Sequence, residues 1–173
     1  MKHLELACIV GILSLGILES YSGPLEDALD GGAGTFGTAG TGNWGATSFP
    51  TNDGVDAAVG PRINAGQESD IFVDVDGPGI MAFWWKVESE FSGGETFVAA
   101  NNGTGDFESI GPFTDFLPGS VRVAPGANQR VFWKYIQAVS PGSSIQNRAW
   151  LDEVYYFAYV QACEAGRIVK FVI

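Results

Sequence analysis

The stretch ESDIFVDVDGPGIMAFWWKVESE, Glu68 to Glu90, constrains this chain more than any other. Ile71, Val73 and Val75 alternate with Asp70, Phe72, Asp74 and Asp76, which is the period of a half-buried β-strand. A Gly-Pro-Gly turn is expected to end that strand. Beyond it Met81, Phe83, Trp85 and Val87 share one face, and Ala82, Trp84, Lys86 and Glu88 the other. A run apolar on nearly both faces reads as a central strand. Alternation also sends the adjacent indoles of Trp84 and Trp85 to opposite sides, so one of them is core.

The rest of the chain repeats the theme. GGAGTFGTAGTGNWG reads as a short strand with flexible edges in which Phe36 and Trp44 supply apolar surface to bury, and ETFVAANNG as strand plus turn. SVRVAPG reads as a short strand, QRVFWKYIQAV and RAWLDEVYYFAYV as long ones, and GRIVKFVI as one more. With 24 glycines and 8 prolines among 173 residues, these segments make an all-β domain of short strands and tight turns. The strand spacing is that of a sandwich or jelly roll.

The first 22 residues stand apart. A basic start at Lys2, an apolar run from Leu6 to Leu18 and small residues at Ser20 and Ser22 read as a secretory signal cleaved after Ser22, with an uncleaved anchor as the alternative. The run is shorter than the roughly 20 residues a spanning helix needs. This divides the chain into a signal (1–22), a β-sandwich module (23–160) and a C-terminal extension (161–173) that could add a strand. Cleavage leaves eight basic and eighteen acidic side chains, a net charge of −10, which opposes nucleic-acid and anionic-membrane binding. It also removes the single histidine, His3, and leaves Cys163 as the single thiol. Ser-His-Asp and Cys-His catalysis need an imidazole, and zinc sites are built mostly from His and Cys, so the mature sequence excludes all three. Cys163 is expected to be buried near the final strands or to pair between chains.

In chain order, LEDALD, NWG, DGVDAA, GPGIMAFWWKVESE, APGANQRVFWKY and AWLDEVYY resemble a module that recurs in large secreted and surface proteins of bacteria. That module reads ALD, W-F-G, DGVDAAQSG, GPGTLSFWWKVSSE, P-A-G-x-H-x-L-x-W-x-Y and W-V-D-x-V. The resemblance runs from residue 25 to about 157, and its specific parts are the FWWKVxSE and WLDEV stretches. Gln129 replaces the family's histidine, and FVAANNG its FYIDG hairpin. The resemblance implies a jelly-roll β-sandwich of two antiparallel sheets, akin to concanavalin-type, MAM-like and carbohydrate-binding-module folds, and a role in adhesion or glycan binding.

Several residues are candidates for chemistry. Trp84, Lys86, Trp133 and Lys134 could line a concave sheet and offer an aromatic surface and donors to a sugar; the alternative is that the rings only pack. Asp53 and Asp56 in NDGVDAA could give carboxylates to a structural calcium ion, helped by Asp74, Asp76, Asp152 and Glu153, or could simply shape an Asx turn. Asp152 on its strand needs a partner, for which Lys86 or Arg148 is in view. Glu88 and Glu90 lie about 7 Å apart on one strand face, within the range of glycosidase carboxylates. The third carboxylate usual in jelly-roll hydrolases is missing. Asn102 opens a formal glycosylation sequon, NGT, that reads equally as a hairpin turn. The leading expectation is a secreted non-catalytic module that binds polysaccharide or a cell-surface glycan. The rivals are a surface protein that self-associates through strand edges, including GRIVKFVI, and a glycoside hydrolase using Glu88 and Glu90.

Overall fold

The computed structural model describes residues 24–88, 95–102, 107–111, 115–138, 147–164 and 167–172. After a single helical turn, α1 (Pro24–Asp27), the described chain is built of nine strands: β1 (Phe36–Gly40), β2 (Gly45–Thr47), β3 (Ala57–Val59), β4 (Gln67–Glu88), β5 (Glu95–Asn101), β6 (Phe107–Ile110), β7 (Leu117–Gln137), β8 (Arg148–Glu164) and β9 (Arg167–Val172). All pairings are antiparallel. The protein is an all-β jelly-roll sandwich.

Two long strands create both sheets. The first limb of β4 pairs with β1 and with the second limb of β7, which continues to β5 and β6. The second limb of β4 pairs with the first limb of β7 and with β8, which continues to β3 and β2. The ladder therefore runs unbroken through both sheets. Gly77-Pro78-Gly79 is a corner within β4 and not the end of a strand. Register shifts fall on either side of Gly77, opposite Val123–Gly126 of β7, so the two strands bend together. SVRVAPG and QRVFWKYIQAV are joined in the same way into the single strand β7. A small residue is required at the bend, since a Cβ on Gly79 would lie 2.5 Å from the Tyr156 ring.

The folded-over ribbon brings the odd-numbered residues of its limbs face to face. Ile71, Val73, Met81, Phe83, Trp85, Val87, Val131, Trp133 and Tyr135 are all buried in the core, as the alternation predicts. Ring contacts cross between the sheets: Phe83 stands edge-on to Trp133 with centroids 5.3 Å apart, and Trp85 lies 5.5 Å from Phe97. Trp44, in the segment before β2, stacks on Phe97 at 5.6 Å. Phe36 and Trp44 are buried, as expected of the apolar surface they bring to a glycine-rich segment. Asn101 secures the corner of β7: its side-chain oxygen accepts a hydrogen bond from the Ala124 N–H, and its amide donates to the Arg130 carbonyl. Within GRIVKFVI, Arg167–Val172 pairs with β8 in register from Tyr159–Val172 to Glu164–Arg167. Residues 1–23, on which the expected signal and His3 fall, and Glu90 lie outside the described residues, as does the Cys163 side chain.

Candidate ligand-binding face

The even-numbered side chains of the first sheet point away from the core and form an ordered surface. Asp74 lies opposite Arg130, Phe72 opposite Phe132, and Asp70 opposite Lys134. Ala100 and Val98 of β5 continue the last two rows, and Gly37 and Ala39 of β1 close the other side. Successive rows are about 7 Å apart, as two residues of strand rise dictate. The rows enclose an open cavity of about 280 Å³, lined by Ala39, Asp70, Phe72, Asn102, Arg130, Phe132 and Lys134.

The cavity floor is held in place from both sides. The Phe72 ring lies over Gly37, where a Cβ would come within 2.4 Å of it, and the Arg130 guanidinium carbon sits 3.9 Å from the ring centroid. Phe72 is thus engaged by Gly37 and Arg130, and Phe132 lines the cavity beside it. Arg130 makes a two-pronged contact with Asp74, Nε to Oδ1 at 2.8 Å and an Nη to Oδ2 at 2.7 Å. That bond holds the Asp74 carboxyl below the usual range and raises the guanidinium. Lys134 Nζ lies 2.9 Å from Glu68 and 3.7 Å from Asp70, and the hydrogen bond to Glu68 leads in raising its pKa. Asp70 is shifted upward instead, because burial outweighs its attraction to Lys134. Its Oδ1 is buried without a hydrogen-bond partner among the described residues. Paired cations and carboxylates around an apolar ring on rigid strands make a surface suited to a polar ligand with a flat apolar face.

The four side chains expected to share this task are dispersed. Lys134 is in the cavity. Trp133, its chain neighbour, is 0% exposed in the core, so the ligand-facing reading of that indole is corrected: alternation puts it on the opposite side from Lys134. Trp84 is half-buried on the outer face of the second sheet, between Pro118 and Asp152. Lys86 shares that face but is only 6% exposed; its ammonium lies 5.4 Å from the Trp150 ring and 6.0 Å from Phe116, and it pairs with Glu88 at 2.6 Å. It is therefore a packing cation and not a free donor to a ligand. Phe72, Phe132, Asp70, Arg130 and Asn102 were missed. For all but Asn102 the signal is the even-numbered register of ESDIFVDVD and QRVFWKY, which carries no tryptophan.

A second group of carboxylates gathers where the β2–β3 connection meets β8. Asp53 Oδ1 accepts the Val55 N–H at 2.7 Å, which is the Asx turn. Asp152, 1% exposed, is satisfied by the backbone N–H groups of Asn52 (2.6 Å) and Glu153 (2.8 Å), not by Lys86 or Arg148. The Asn52 side chain also donates to Glu153. Among the described residues no three carboxylate, thiol or imidazole side chains are placed to hold a metal ion. Asp53 and Asp56 would need backbone carbonyls and water to complete the six to eight oxygens of a calcium shell.

Burial, with Asp53 and Asp30 adding repulsion, pushes the Asp152 carboxyl up to about 6, and burial followed by Asp53, Glu153 and Asp56 raises Asp30. A carboxyl raised on folding favours the folded state below its unfolded value, and that stability is lost as the pH climbs through the folded value. Melting should therefore show Tm falling between pH 4 and pH 6.5, with Asp152 contributing at most about 3 kcal/mol. Asp152→Asn should flatten that slope; an unchanged slope would show that Asp152 does not carry it.

Glu88 is engaged by Lys86, and its supposed companion Glu90 lies outside the described residues. A carboxylate that the sequence did not flag, Glu95, is 2% exposed and receives hydrogen bonds from the Gln137 and Asn147 side chains. Burial raises its pKa. Tyr135 donates to Gln137, which makes the cluster a buried polar tie among β5, β7 and the start of β8. No described helix is long and apolar enough to cross a membrane.

No family model matches the sequence, and no curated protein does. Solved structures do show the same fold. TmCBM61, a carbohydrate-binding module seen in complex with β-1,4-galactotriose, superposes with a TM-score of 0.52 at 12% identity, over 78% of this chain and 94% of that one. The K1 cleaved adhesin domain of Lys-gingipain from Porphyromonas gingivalis W83 gives 0.50 at 15% identity, over 71% and 90%. The secreted serine protease VesC from Vibrio cholerae gives 0.48 at 21% identity over 66% of this chain, which spans about a quarter (24%) of the protease.

Proposed function

We propose that this chain is a secreted, non-catalytic β-sandwich module that binds carbohydrate, as polysaccharide or cell-surface glycan, through the outer face of its first sheet. The observation that carries the reading is the cavity itself, in which Phe132 lies beside Asp70 and Lys134 on paired strands, with Asn102 just past the end of β5. A pyranose presents an apolar face to a ring and hydroxyls to flanking acceptors and donors, which this arrangement matches. The fold shared with a carbohydrate-binding module and an adhesin domain is compatible with it. A polysaccharide array finds the ligand. On the best polymer, Phe132→Ala should weaken binding by about tenfold or more, equivalent to about 1.4 kcal/mol, with Tm nearly unchanged because the ring is half-buried on an outer face. Trp84→Ala should leave binding intact. The reverse pattern would move the site to the second sheet, and sugar release from the bound polymer would end the non-catalytic assignment.

Structural calcium at Asp53 and Asp56 belongs to this proposal as a stabilising ion only. The crowding of Asp30, Asp53, Asp56, Asp152 and Glu153 favours a cation there. Repeating the melt with calcium and with a chelator tests it, and coincident curves would remove the ion from the scheme.

The assembly reading keeps one supporting observation: beyond Ala158, β8 pairs with β9 alone among the described residues, leaving a two-stranded ribbon with open edges. A strictly monomeric elution profile across concentration would rule it out.

A further inference from the structure

We infer that Asp74, together with Glu68 and Asp70, determines the specificity of the cavity, by occupying its two cations and so turning away anionic glycans; the inference rests on the carbohydrate-binding reading above. Two positive groups of the face, Arg130 and Lys134, form ion pairs with three of its carboxylates, Glu68, Asp70 and Asp74. Asp74 takes two parallel N–H donors of the guanidinium in the geometry that a uronate or sulfate would seek. An anionic sugar therefore competes with Asp74 for the guanidinium, or with Glu68 and Asp70 for the ammonium, on a face where carboxylates outnumber cations. The chain's own charge of −11 opposes its approach as well. A neutral sugar meets no such barrier. It can lay its apolar face on Phe132 and leave the ion pairs in place.

The guanidinium does not depend on Asp74 alone for its position, because it also rests on the Phe72 ring at 3.9 Å. Asp74→Asn removes the competing charge and leaves a preplaced cation, so the variant should acquire the selectivity that the parent lacks. Asp74 is partly exposed, and its replacement removes a surface ion pair of small energetic worth.

The experiment measures binding of the protein and of Asp74→Asn and Asp70→Asn/Asp74→Asn to β-1,4-galactan, mannan and xylan as neutral probes, and to polygalacturonate and heparin as anionic ones. Tm is recorded for each variant. The parent should bind a neutral polymer at least about tenfold more tightly than either anionic one, and the variants should gain about tenfold or more on polygalacturonate, lost again in high salt. Equal or tighter binding of the parent to an anionic polymer would overturn the inference and leave the carbohydrate reading standing. Folded variants without the gain would likewise show that the carboxylates do not set specificity. Absence of binding by the parent to every probe would overturn the carbohydrate reading, and this inference with it.

Discussion

Trp133→Ala should cost about 3–5 kcal/mol of folding stability, the range for removing a large buried aromatic. The indole is fully enclosed, with Phe83 edge-on at 5.3 Å and Phe36 at 6.4 Å. Because Phe83 belongs to the second sheet and Trp133 to the first, truncation opens a cavity at the seam between the sheets and not beside one strand. Trp133→Phe should cost far less. It keeps a ring for Phe83 to meet and discards an indole N–H that is buried without a hydrogen-bond partner among the described residues, a feature that penalises the folded state by about 1–3 kcal/mol. Urea unfolding of the three proteins checks the order. If Trp133→Ala unfolded at the parent's midpoint, the ring would not be core, and the ligand-facing role withdrawn from it would return.

That contrast shows what the sequence made legible. Strand alternation is local, so it separated Trp84 from Trp85 and placed Ile71, Val73, Met81, Phe83 and Val87 inward without knowledge of the fold. It could equally have separated Trp133 from its neighbours Phe132 and Lys134. Residue type is the weaker guide here: tryptophan is the larger platform, but the strand face a ring occupies decides whether a ligand can meet it. Other features were not legible in any local pattern. Lys86 looks like a free cation until Trp150 and Phe116, more than 29 residues away, close over it. Asp152 looks like half of an ion pair until the backbone of Asn52, 100 residues earlier, reaches it. A buried carboxylate is satisfied by whatever N–H groups arrive, and which ones arrive is a property of the tertiary fold.

Gly77→Ala should be the more damaging single-methyl change, exceeding about 4 kcal/mol or preventing folding, which is at the extreme for point substitutions. A Cβ on Gly77 would stand 1.8 Å from the carbonyl oxygen of Ala124 and 2.9 Å from its carbonyl carbon. Those atoms are backbone on the partner strand, so no side-chain rotation relieves the overlap, whereas ordinary overpacking against flexible side chains costs about 1–3 kcal/mol. The partner strand cannot easily retreat. The Ala124 N–H is held by the Asn101 side chain, whose amide also holds the Arg130 carbonyl, so backing away would break both bonds and release the bend that carries β7 from one sheet to the other. Since β4 and β7 form the continuous ribbon of both sheets, opening the corner separates the core faces and removes Arg130, Phe132 and Lys134 from their register with Asp74, Phe72 and Asp70. Gly45→Ala is the control: its added methyl meets nothing within 4 Å, and the change should shift stability by no more than about 0.5 kcal/mol. Chemical unfolding and glycan binding should fail together in Gly77→Ala and survive together in Gly45→Ala. A Gly77→Ala protein that melted with the parent would show that the two strands do not meet so closely at the corner, and the sandwich built on that bend would have to be redrawn.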